Sequence, residues 1–278
     1  MTARLHAFLR LCRVRDWMHF LPLPLATFDS TAPLSGGLWA AGRGVASACT
    51  ILAFGYLINS VADRHMDLDA RKNPLIQSDA GEHRWALAAL LAGTLLLCWL
   101  APWPAGLAGL LCTAILYVYS AGPRLKAVPL VGSLMNVGNF TPLLFVGMRT
   151  TDLPAHMGSV TVAFAALLLQ NQFIHEGADQ TEDRGGQLRT TWLTFGPYWT
   201  AAFAAAAGFA ATVAAARLAP LWAGRVFLFG GLLVFVAAFP LCLMWLRDDW
   251  RRIARLRIAH RLAAAVFGIA LFLSWRGL

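Results

Sequence analysis

The chain has 278 residues, of which 58% are hydrophobic and only 13% are charged, and its net charge is +9 at pH 7. A soluble domain carries about a quarter charged residues, so this composition argues against a soluble globular protein. The basic residues fall between long apolar blocks rather than on one folded face, which argues against nucleic-acid binding. The five cysteines are scattered without a C-x-x-C pair, which argues against a zinc site or a disulfide framework.

The apolar blocks are about twenty residues long, the length that a helix needs to cross a bilayer. We therefore predict an all-α, polytopic membrane protein with nine spanning helices. In chain order they cover residues 17–35, 43–62, 85–101, 104–121, 128–148, 155–175, 198–217, 222–246 and 258–275. Prolines interrupt the first, which membrane helices tolerate where neighbouring groups satisfy the backbone. The polar first sixteen residues predict no cleavable signal peptide.

Lysine and arginine divide unevenly between the two sides of this topology. Eighteen of the 23 lie in the N-terminal segment and in the loops on the same side of the membrane. By the positive-inside rule that side is cytosolic, and the C-terminus then lies on the opposite side. The simplest location is the cytoplasmic membrane of a bacterium.

The first acidic cluster follows the second predicted span. Asn59, Asp63 and Asp67 are spaced by four residues. On a helix each step of four advances about 400°, so the three side chains stay within an arc of about 80°. One helix face therefore presents an amide oxygen and two carboxylates. Asp69 falls off this face, and we interpret it as a solvated charge.

The second acidic cluster follows the sixth predicted span. Asp179 and Asp183 again share a face, and Glu176 lies one turn before Asp179. Each cluster leads into a loop that contains arginine and then into the next apolar block. This echo suggests two four-helix halves, although no sequence repeat is strong enough to demonstrate a duplication.

Carboxylates at the ends of apolar helices need cations to balance their charge. Removing a carboxylate from water is costly unless it is paired or binds a metal. Ligand sets made only of oxygen suit hard cations, Mg²⁺ above all when phosphate oxygens complete the shell. The alternative is that these are ordinary loop charges paired with nearby arginines. Two clusters with the same spacing on the same side favour a metal site.

Charge balance extends this interpretation to a diphosphate. Two Mg²⁺ ions would balance the four carboxylates of Asp63, Asp67, Asp179 and Asp183. A diphosphate would then need basic partners, and such a site could draw off the charge that develops on a leaving group. The basic residues nearby in sequence are Arg64, Arg71, Lys72, Arg124, Lys126, Arg184 and Arg189.

Other polar residues have two interpretations each. Asn136 and Asn139, in the fifth predicted span, either line a polar pocket for an acceptor or form hydrogen bonds between helices, and we favour the second. His65, beside Asp63, either assists proton removal or is solvated near the headgroups. The basic run from Arg247 to Arg261 is most simply an anchor for anionic lipid.

The order and spacing of the motifs resemble the UbiA superfamily of intramembrane prenyltransferases. The N-x-x-x-D-x-x-x-D motif of that superfamily is met by Asn59, Asp63 and Asp67. Its D-x-x-x-D motif is met by Asp179 and Asp183. The resemblance covers nearly the whole chain, including the number of spans and the order of the motifs.

Two further stretches carry the resemblance, and one residue departs from it. Residues 117–126, which read YVYSAGPRLK, are similar to the tyrosine–lysine loop after the fourth helix, and residues 71–75 read RKNPL in the expected style. Many members have an aspartate where this chain has Ser60. Ser60 lies off the face that would bind metal, so we expect metal binding to be retained. The change leaves open the branch of the superfamily, such as the 4-hydroxybenzoate or the menaquinone enzymes.

The resemblance implies a single integral-membrane domain, residues 1–278, in which nine helices surround a central lipid-accessible cavity. It implies Mg²⁺-dependent transfer of a prenyl group from a prenyl diphosphate to a small acceptor that is aromatic or lipid-like. The implied metal ligands are Asn59, Asp63, Asp67, Asp179 and Asp183, of which the four aspartates would be catalytic. The implied diphosphate-binding residues are Arg64, Arg71, Arg124 and Lys126. Supporting candidates are Tyr119, Glu176 and Asn136.

Three alternatives remain at the level of sequence. Relatives in the superfamily cyclise a prenyl diphosphate or transfer a phosphoribosyl group to a polyprenyl phosphate, and they use the same metal site. A transporter or a non-catalytic lipid-binding protein is the third. A transporter should place ionisable groups near the middle of broken helices. In this chain nearly all charges lie at span ends, which argues against transport.

Overall fold

The computed structural model describes residues 8–27, 34–65, 73, 75–76, 80–186, 188–219 and 221–276. Every regular element within these ranges is a helix, which confirms the all-α prediction. The chain divides into two compact units. The first comprises Met1–Leu125 with Gly138–Pro154, and the second comprises Lys126–Val137 with Ala155–Leu278. Each unit contains one acidic motif, and the prediction of a single domain stays a prediction.

The helices of the first unit are α1 (Val14–Trp17), α2 (Leu34–Asp63), α3 (Arg84–Trp99) and α4 (Trp103–Ser120). The long helix α2 packs against both α3 and α4. Between α3 and α4 the chain reverses in three residues, and the proline at the second position of α4 costs no hydrogen bond there. A Cβ atom at Gly106 would lie 2.6 Å from the carbonyl oxygen of Cys98, so glycine allows these two helices to approach closely.

The beginning of the first unit differs from the prediction of one spanning helix over residues 17–35. In the described part, α1 is followed by 3₁₀ turns at Met18–Phe20 and Leu23–Thr27. Pro22 and Pro24 have no backbone N–H to donate, so a continuous helix cannot form through them. The first predicted span, which prolines interrupt, therefore does not form one regular helix over residues 17–27.

The helices of the second unit are α5 (Val131–Phe140, which runs into the first unit), α6 (Met157–Ala178), α7 (Gln180–Gly185), α8 (Thr191–Ala216), α9 (Leu221–Gly231), α10 (Phe239–Trp245) and α11 (Trp250–Arg276). A π-helical segment, Leu232–Ala238, joins α9 to α10. Helix α6 packs against α8 and α11. The buried core of this unit contains Ile174, Trp192, Phe235, Phe239, Leu243 and Ile253.

Five helices in the described part of the chain are long and apolar enough to cross a membrane. They are Gly36–Asp63, Trp103–Ser120, Met157–Ala178, Thr191–Ala216 and Trp222–Trp245, and α3 is a shorter apolar helix. The count of nine spans is not confirmed. Within the predicted span 128–148, α5 has only 10 residues and gives way to a 3₁₀ turn. The predicted span 258–275 forms the second part of α11, whose first part carries most of the basic run.

Exposed tryptophans mark the ends of these helices. Trp99 and Trp103, at the turn between α3 and α4, have 86% and 68% of their surface exposed, and Trp245, at the end of α10, has 86%. Tryptophan is enriched at the interface between membrane and water because its ring is apolar and its N–H is polar. The positions of these side chains therefore agree with helices that cross a bilayer.

One arginine lies deep inside the first unit. Arg43, within α2, is only 4% exposed. Its Nη1 donates to the carbonyl oxygen of Val146 at 3.2 Å, and its Nη2 donates to that of Met148 at 2.6 Å. Carbonyl acceptors offset part of the cost of burying the guanidinium, and the two bonds hold the 146–148 segment against α2.

Candidate active site

The first acidic motif begins in the last turns of α2. Asn59 is half-buried, and Asp63, the last residue of the helix, is only 7% exposed. Asp63 Oδ1 accepts a hydrogen bond from Arg124 Nη2 at 2.9 Å. Backbone carbonyls at a helix C-terminus disfavour a carboxylate, and the guanidinium of Arg124 offsets part of that cost.

Arg124 reaches Asp63 from a backbone conformation that few residues adopt. Its φ of 54° lies in the left-handed region, where residues other than glycine, asparagine and aspartate have a strained backbone. Such strain persists where the surrounding structure fixes the residue, and it is concentrated at functional sites. The structure thus brings together two predicted site residues that are 61 positions apart.

Asn73 is a buried residue near the first motif whose structural role was not predicted from the sequence. It is fully buried, and its Nδ2 donates to the carbonyl oxygen of Ser60 at 2.9 Å. Its Oδ1 accepts from the backbone N–H of Leu75 at 3.0 Å, which forms an Asx-turn. Asn73 therefore ties the segment after the motif to the end of α2. The Asn-Pro dipeptide, a turn signal, was the available clue.

The remaining residues of the first motif are only partly described. Arg64 Nε donates to His65 Nε2 at 2.8 Å just beyond α2. His65 Nε2 is therefore the acceptor in this arrangement. Asp67, Arg71 and Lys72 lie outside the described residues.

The second acidic motif lies where α6 gives way to α7. Asp179 is the residue between the two helices, and both Asp179 and Asp183 are half-buried. The backbone N–H of Asp183 donates to the carbonyl oxygen of Asp179 at 3.0 Å, so one helical turn separates them. His175 Nδ1 lies 3.2 Å from Asp179 Oδ2. Asp179, like Asp63, is a carboxylate at a helix C-terminus, where a cation is favoured.

Glu176 lies among hydrogen-bond donors in the last turn of α6 and is only 5% exposed. Its Oε1 accepts from Ser133 Oγ at 2.5 Å and from Gln172 Nε2 at 3.4 Å. Its Oε2 accepts from the backbone N–H of Trp192 at 3.1 Å. Asn136 Nδ2 donates to Gln172 Oε1 at 2.7 Å, which is the hydrogen bond between helices that we favoured for Asn136.

The end of α4 and the loop that follows it contain the other predicted residues. Tyr119, in the last turn of α4, is half-buried. Lys126, also half-buried, lies in the 3₁₀ turn Leu125–Ala127. A Cβ atom at Gly132 would lie 2.6 Å from the carbonyl oxygen of Lys126, so this turn folds tightly onto the start of α5.

The donor chemistry of both motifs fits Mg²⁺. Each offers carboxylate oxygens at a helix C-terminus, and the first adds the amide of Asn59, whereas thiolate and imidazole ligands would suit softer metals. Within the described ranges, no three Asp, Glu, His or Cys side chains form a metal site by themselves.

A sequence profile decides the family. The profile of the UbiA prenyltransferase family matches residues 25–274. The chain belongs to the UbiA prenyltransferase family. No curated protein sequence matches this UbiA chain at the level of significance required.

Solved structures of UbiA proteins share this fold. A UbiA homologue from Archaeoglobus fulgidus bound to GPP and Mg²⁺ has a TM-score of 0.71 at 20% identity, covering 97% of this chain and 99% of that one. A UbiA homologue from the same organism bound to DMAPP and Mg²⁺ has a TM-score of 0.70 at 20% identity, covering 98% and 99%. A digeranylgeranylglyceryl phosphate synthase has a TM-score of 0.77 at 13% identity, covering 99% and 100%.

Proposed function

We propose that this chain transfers a prenyl group from a prenyl diphosphate to a small acceptor, and that the reaction depends on Mg²⁺. The observation that carries the proposal is the ion pair of Asp63 and Arg124, with 2.9 Å between Oδ1 and Nη2. It holds a carboxylate that can bind a metal beside a guanidinium that can bind a phosphate. The complexes of the A. fulgidus homologue with GPP or DMAPP and Mg²⁺ support the same chemistry.

The proposed roles follow the chemistry of the side chains. The residues that would hold Mg²⁺ are Asn59, Asp63, Asp67, Asp179 and Asp183. The residues that would bind the diphosphate are Arg64, Arg71, Arg124 and Lys126. When bound, Mg²⁺ would neutralise diphosphate oxygens and make the diphosphate a better leaving group. The arginines and Lys126 would add positive charge from the protein, in a setting where water screens it less.

In the proposed reaction, the bond between C1 of the prenyl group and the bridging oxygen breaks, and the diphosphate leaves with the electron pair. The acceptor forms a new bond to C1 and releases a proton. Arg124 and Lys126 would act by stabilising the leaving group as its charge grows. That contribution raises the rate, because it is stronger in the transition state than in the bound substrate.

The proposed site faces the cytosol of a bacterial cell. Its motifs adjoin the loops on the side that holds eighteen of the 23 lysines and arginines. A prenyl diphosphate has a charged head and an apolar tail, so its head would bind at helix ends while its tail lies among the helices. An aromatic or lipid-like acceptor could approach from the bilayer.

The proposal is tested by diphosphate release. We expect detergent-solubilised protein to release diphosphate from GPP or DMAPP when Mg²⁺ and a suitable acceptor are present, and EDTA to stop it. Asp63→Ala and Asp179→Ala should each lower the rate by about a hundredfold or more. Asp248→Ala is the matched control. The Asp248 side chain is 90% exposed, so this substitution should leave the rate unchanged.

Mass spectrometry of the products distinguishes the alternatives. A prenylated acceptor supports the proposal. A cyclised hydrocarbon would favour a cyclase, and consumption of a phosphoribosyl diphosphate would favour a phosphoribosyltransferase. Near-normal turnover of Asp63→Ala or Asp179→Ala would overturn the assignment of the two motifs.

A further inference from the structure

The starting point is the buried carboxylate of Glu176, which lies three residues before Asp179. Donors from three different helices satisfy it: Ser133 of α5, Gln172 of α6 and the backbone of Trp192 in α8. A buried carboxylate is stable only when it is hydrogen-bonded in this way, and removing its partners is costly. The last turn of α6 is therefore tied to two other helices immediately before the proposed metal-binding residue.

The bond to Trp192 has an electrostatic consequence. Trp192 is the second residue of α8, and no side-chain cap is formed by Thr190, the residue at its N-cap. The first N–H groups of a helix carry partial positive charge, and a carboxylate beside them is favoured. The carboxylate of Glu176, which belongs to α6, therefore takes the place of a side-chain cap at the N-terminus of α8. Because that position is occupied by a residue of the chain, we do not assign the N-terminus of α8 to the diphosphate.

The bond to Ser133 leads toward Lys126. Ser133 Oγ lies 2.8 Å from Thr191 Oγ1, which in turn accepts from the backbone N–H of Leu130 at 3.0 Å. Leu130 has a left-handed φ of 59°, so this turn is held in a strained conformation. Gly132, the residue before Ser133, packs against the backbone of Lys126. The first turn of α5 is therefore connected to both Glu176 and Lys126.

We propose that Glu176 is a positioning residue that sets Asp179 relative to Lys126, and that it is not itself a metal ligand. The inference rests on the proposed function, in which Asp179 holds metal and Lys126 binds diphosphate. Both residues belong to the second unit, and the buried carboxylate links the segments that carry them. Loss of this link moves Asp179 and Lys126 independently, which weakens binding of metal and diphosphate together.

The test compares Glu176→Gln and Glu176→Ala with the wild type. The readouts are kcat, KM for GPP, the Mg²⁺ concentration that gives half-maximal rate, and the thermal midpoint. We expect Glu176→Ala to lower kcat/KM by about a hundredfold, the order of magnitude expected for a 1 Å displacement in an active site. Glu176→Gln keeps one acceptor oxygen for Ser133 but loses the charge at α8, so its effect should be intermediate.

Two controls separate positioning from loss of stability. Gln170→Leu removes another buried amide of α6, one that donates to the carbonyl oxygens of Ala204 and Phe235. It should lower the thermal midpoint without changing KM for GPP or the Mg²⁺ requirement. Asp248→Asn changes a carboxylate that is 90% exposed in the connection between α10 and α11, and it should change none of the four readouts.

Ser133→Ala distinguishes positioning from metal binding. The Ser133 hydroxyl is bonded to Glu176 and Thr191, so it can affect Mg²⁺ only through the network. We expect Ser133→Ala to raise both KM for GPP and the Mg²⁺ requirement, and the double variant with Glu176→Gln to be no worse than Glu176→Gln alone. Additive effects, or a Ser133→Ala variant with wild-type constants, would overturn the inference. An inactive wild type would instead contradict the proposed function.

Discussion

Asp63 illustrates how much one residue depends on another in this protein. Its carboxylate is 7% exposed at a helix C-terminus, where both burial and the carbonyls of the last turn disfavour negative charge. The guanidinium of Arg124 offsets both effects at a distance of 2.9 Å. In the proposed site the same guanidinium also attracts phosphate, so both the burial of Asp63 and the proposed activity depend on Arg124.

Replacing Arg124 separates these two roles. Arg124→Ala should reduce stability by about 1–3 kcal/mol, because it leaves Asp63 buried without its charged donor. Asp63→Asn in the Arg124→Ala background removes the buried charge and should recover part of that loss, but it should not recover activity. Thermal unfolding in detergent and diphosphate release measure the two effects. A double variant that is less stable than Arg124→Ala would contradict the dependence of Asp63 on Arg124.

The spacing of residues in the sequence identified candidate site residues, but it could not predict which residues are in contact in the fold. The four-residue repeat identified Asn59, Asp63, Asp179 and Asp183, because helical periodicity is a local property. The contacts of Arg124 with Asp63, 61 positions away, and of Glu176 with Ser133, 43 positions away, depend on how distant segments fold together. Nothing in the sequence around either residue encodes those distances.

Among the helices, apolar runs predicted the ends of α3, α4 and α6 to within three residues, but they did not predict the interruptions in other spans. Helix α4 begins and ends within one residue of its predicted span, because the run and its flanking prolines and glycine set both ends. The π-helical segment Leu232–Ala238 was not foreseen. Gln170 donates to the carbonyl oxygen of Phe235 there, and a Cβ atom at Gly208 would clash with that oxygen. Contacts from α6 and α8 therefore accompany this wide turn.

The start of α5 yields a prediction about the loop that carries Lys126. Gly132→Ala would bring a Cβ atom to 2.6 Å from the carbonyl oxygen of Lys126, so the backbone of the loop must shift. If Lys126 binds diphosphate, KM for GPP should rise by about tenfold. Steady-state kinetics measure this change.

Gly158→Ala is the matched control for the Lys126 loop. Gly158 lies in the first turn of α6, and a Cβ atom there would meet no atom within 4 Å. Its kinetic constants should equal those of the wild type. An unchanged KM in Gly132→Ala would show that the diphosphate does not depend on the position of Lys126.

For the whole molecule, the sequence was enough for the fold class and the family. Long apolar runs and three spaced motifs can be recognised in the sequence without knowing how the chain folds. The family match over residues 25–274 confirms what they indicated. The number of spans was less accessible. Hydropathy treats residues 17–27 and 131–144 as parts of spans, whereas their short helices and 3₁₀ turns depend on prolines and on tertiary packing.

Membrane orientation gives a prediction for the whole chain. The proposed topology puts Asp248 in the cytosol and Asp152 on the opposite side, and both residues lie in connections between helices. We expect a membrane-impermeant maleimide to label Asp152→Cys in intact bacterial cells, and to label Asp248→Cys only after the membrane is permeabilised. The unsubstituted protein is the blank, because its five cysteines are buried or half-buried. Labelling of Asp248→Cys in intact cells would show that the orientation is the reverse of the proposed one. The proposed diphosphate site would then lie on the side of the membrane away from the cytosolic pool of its substrate.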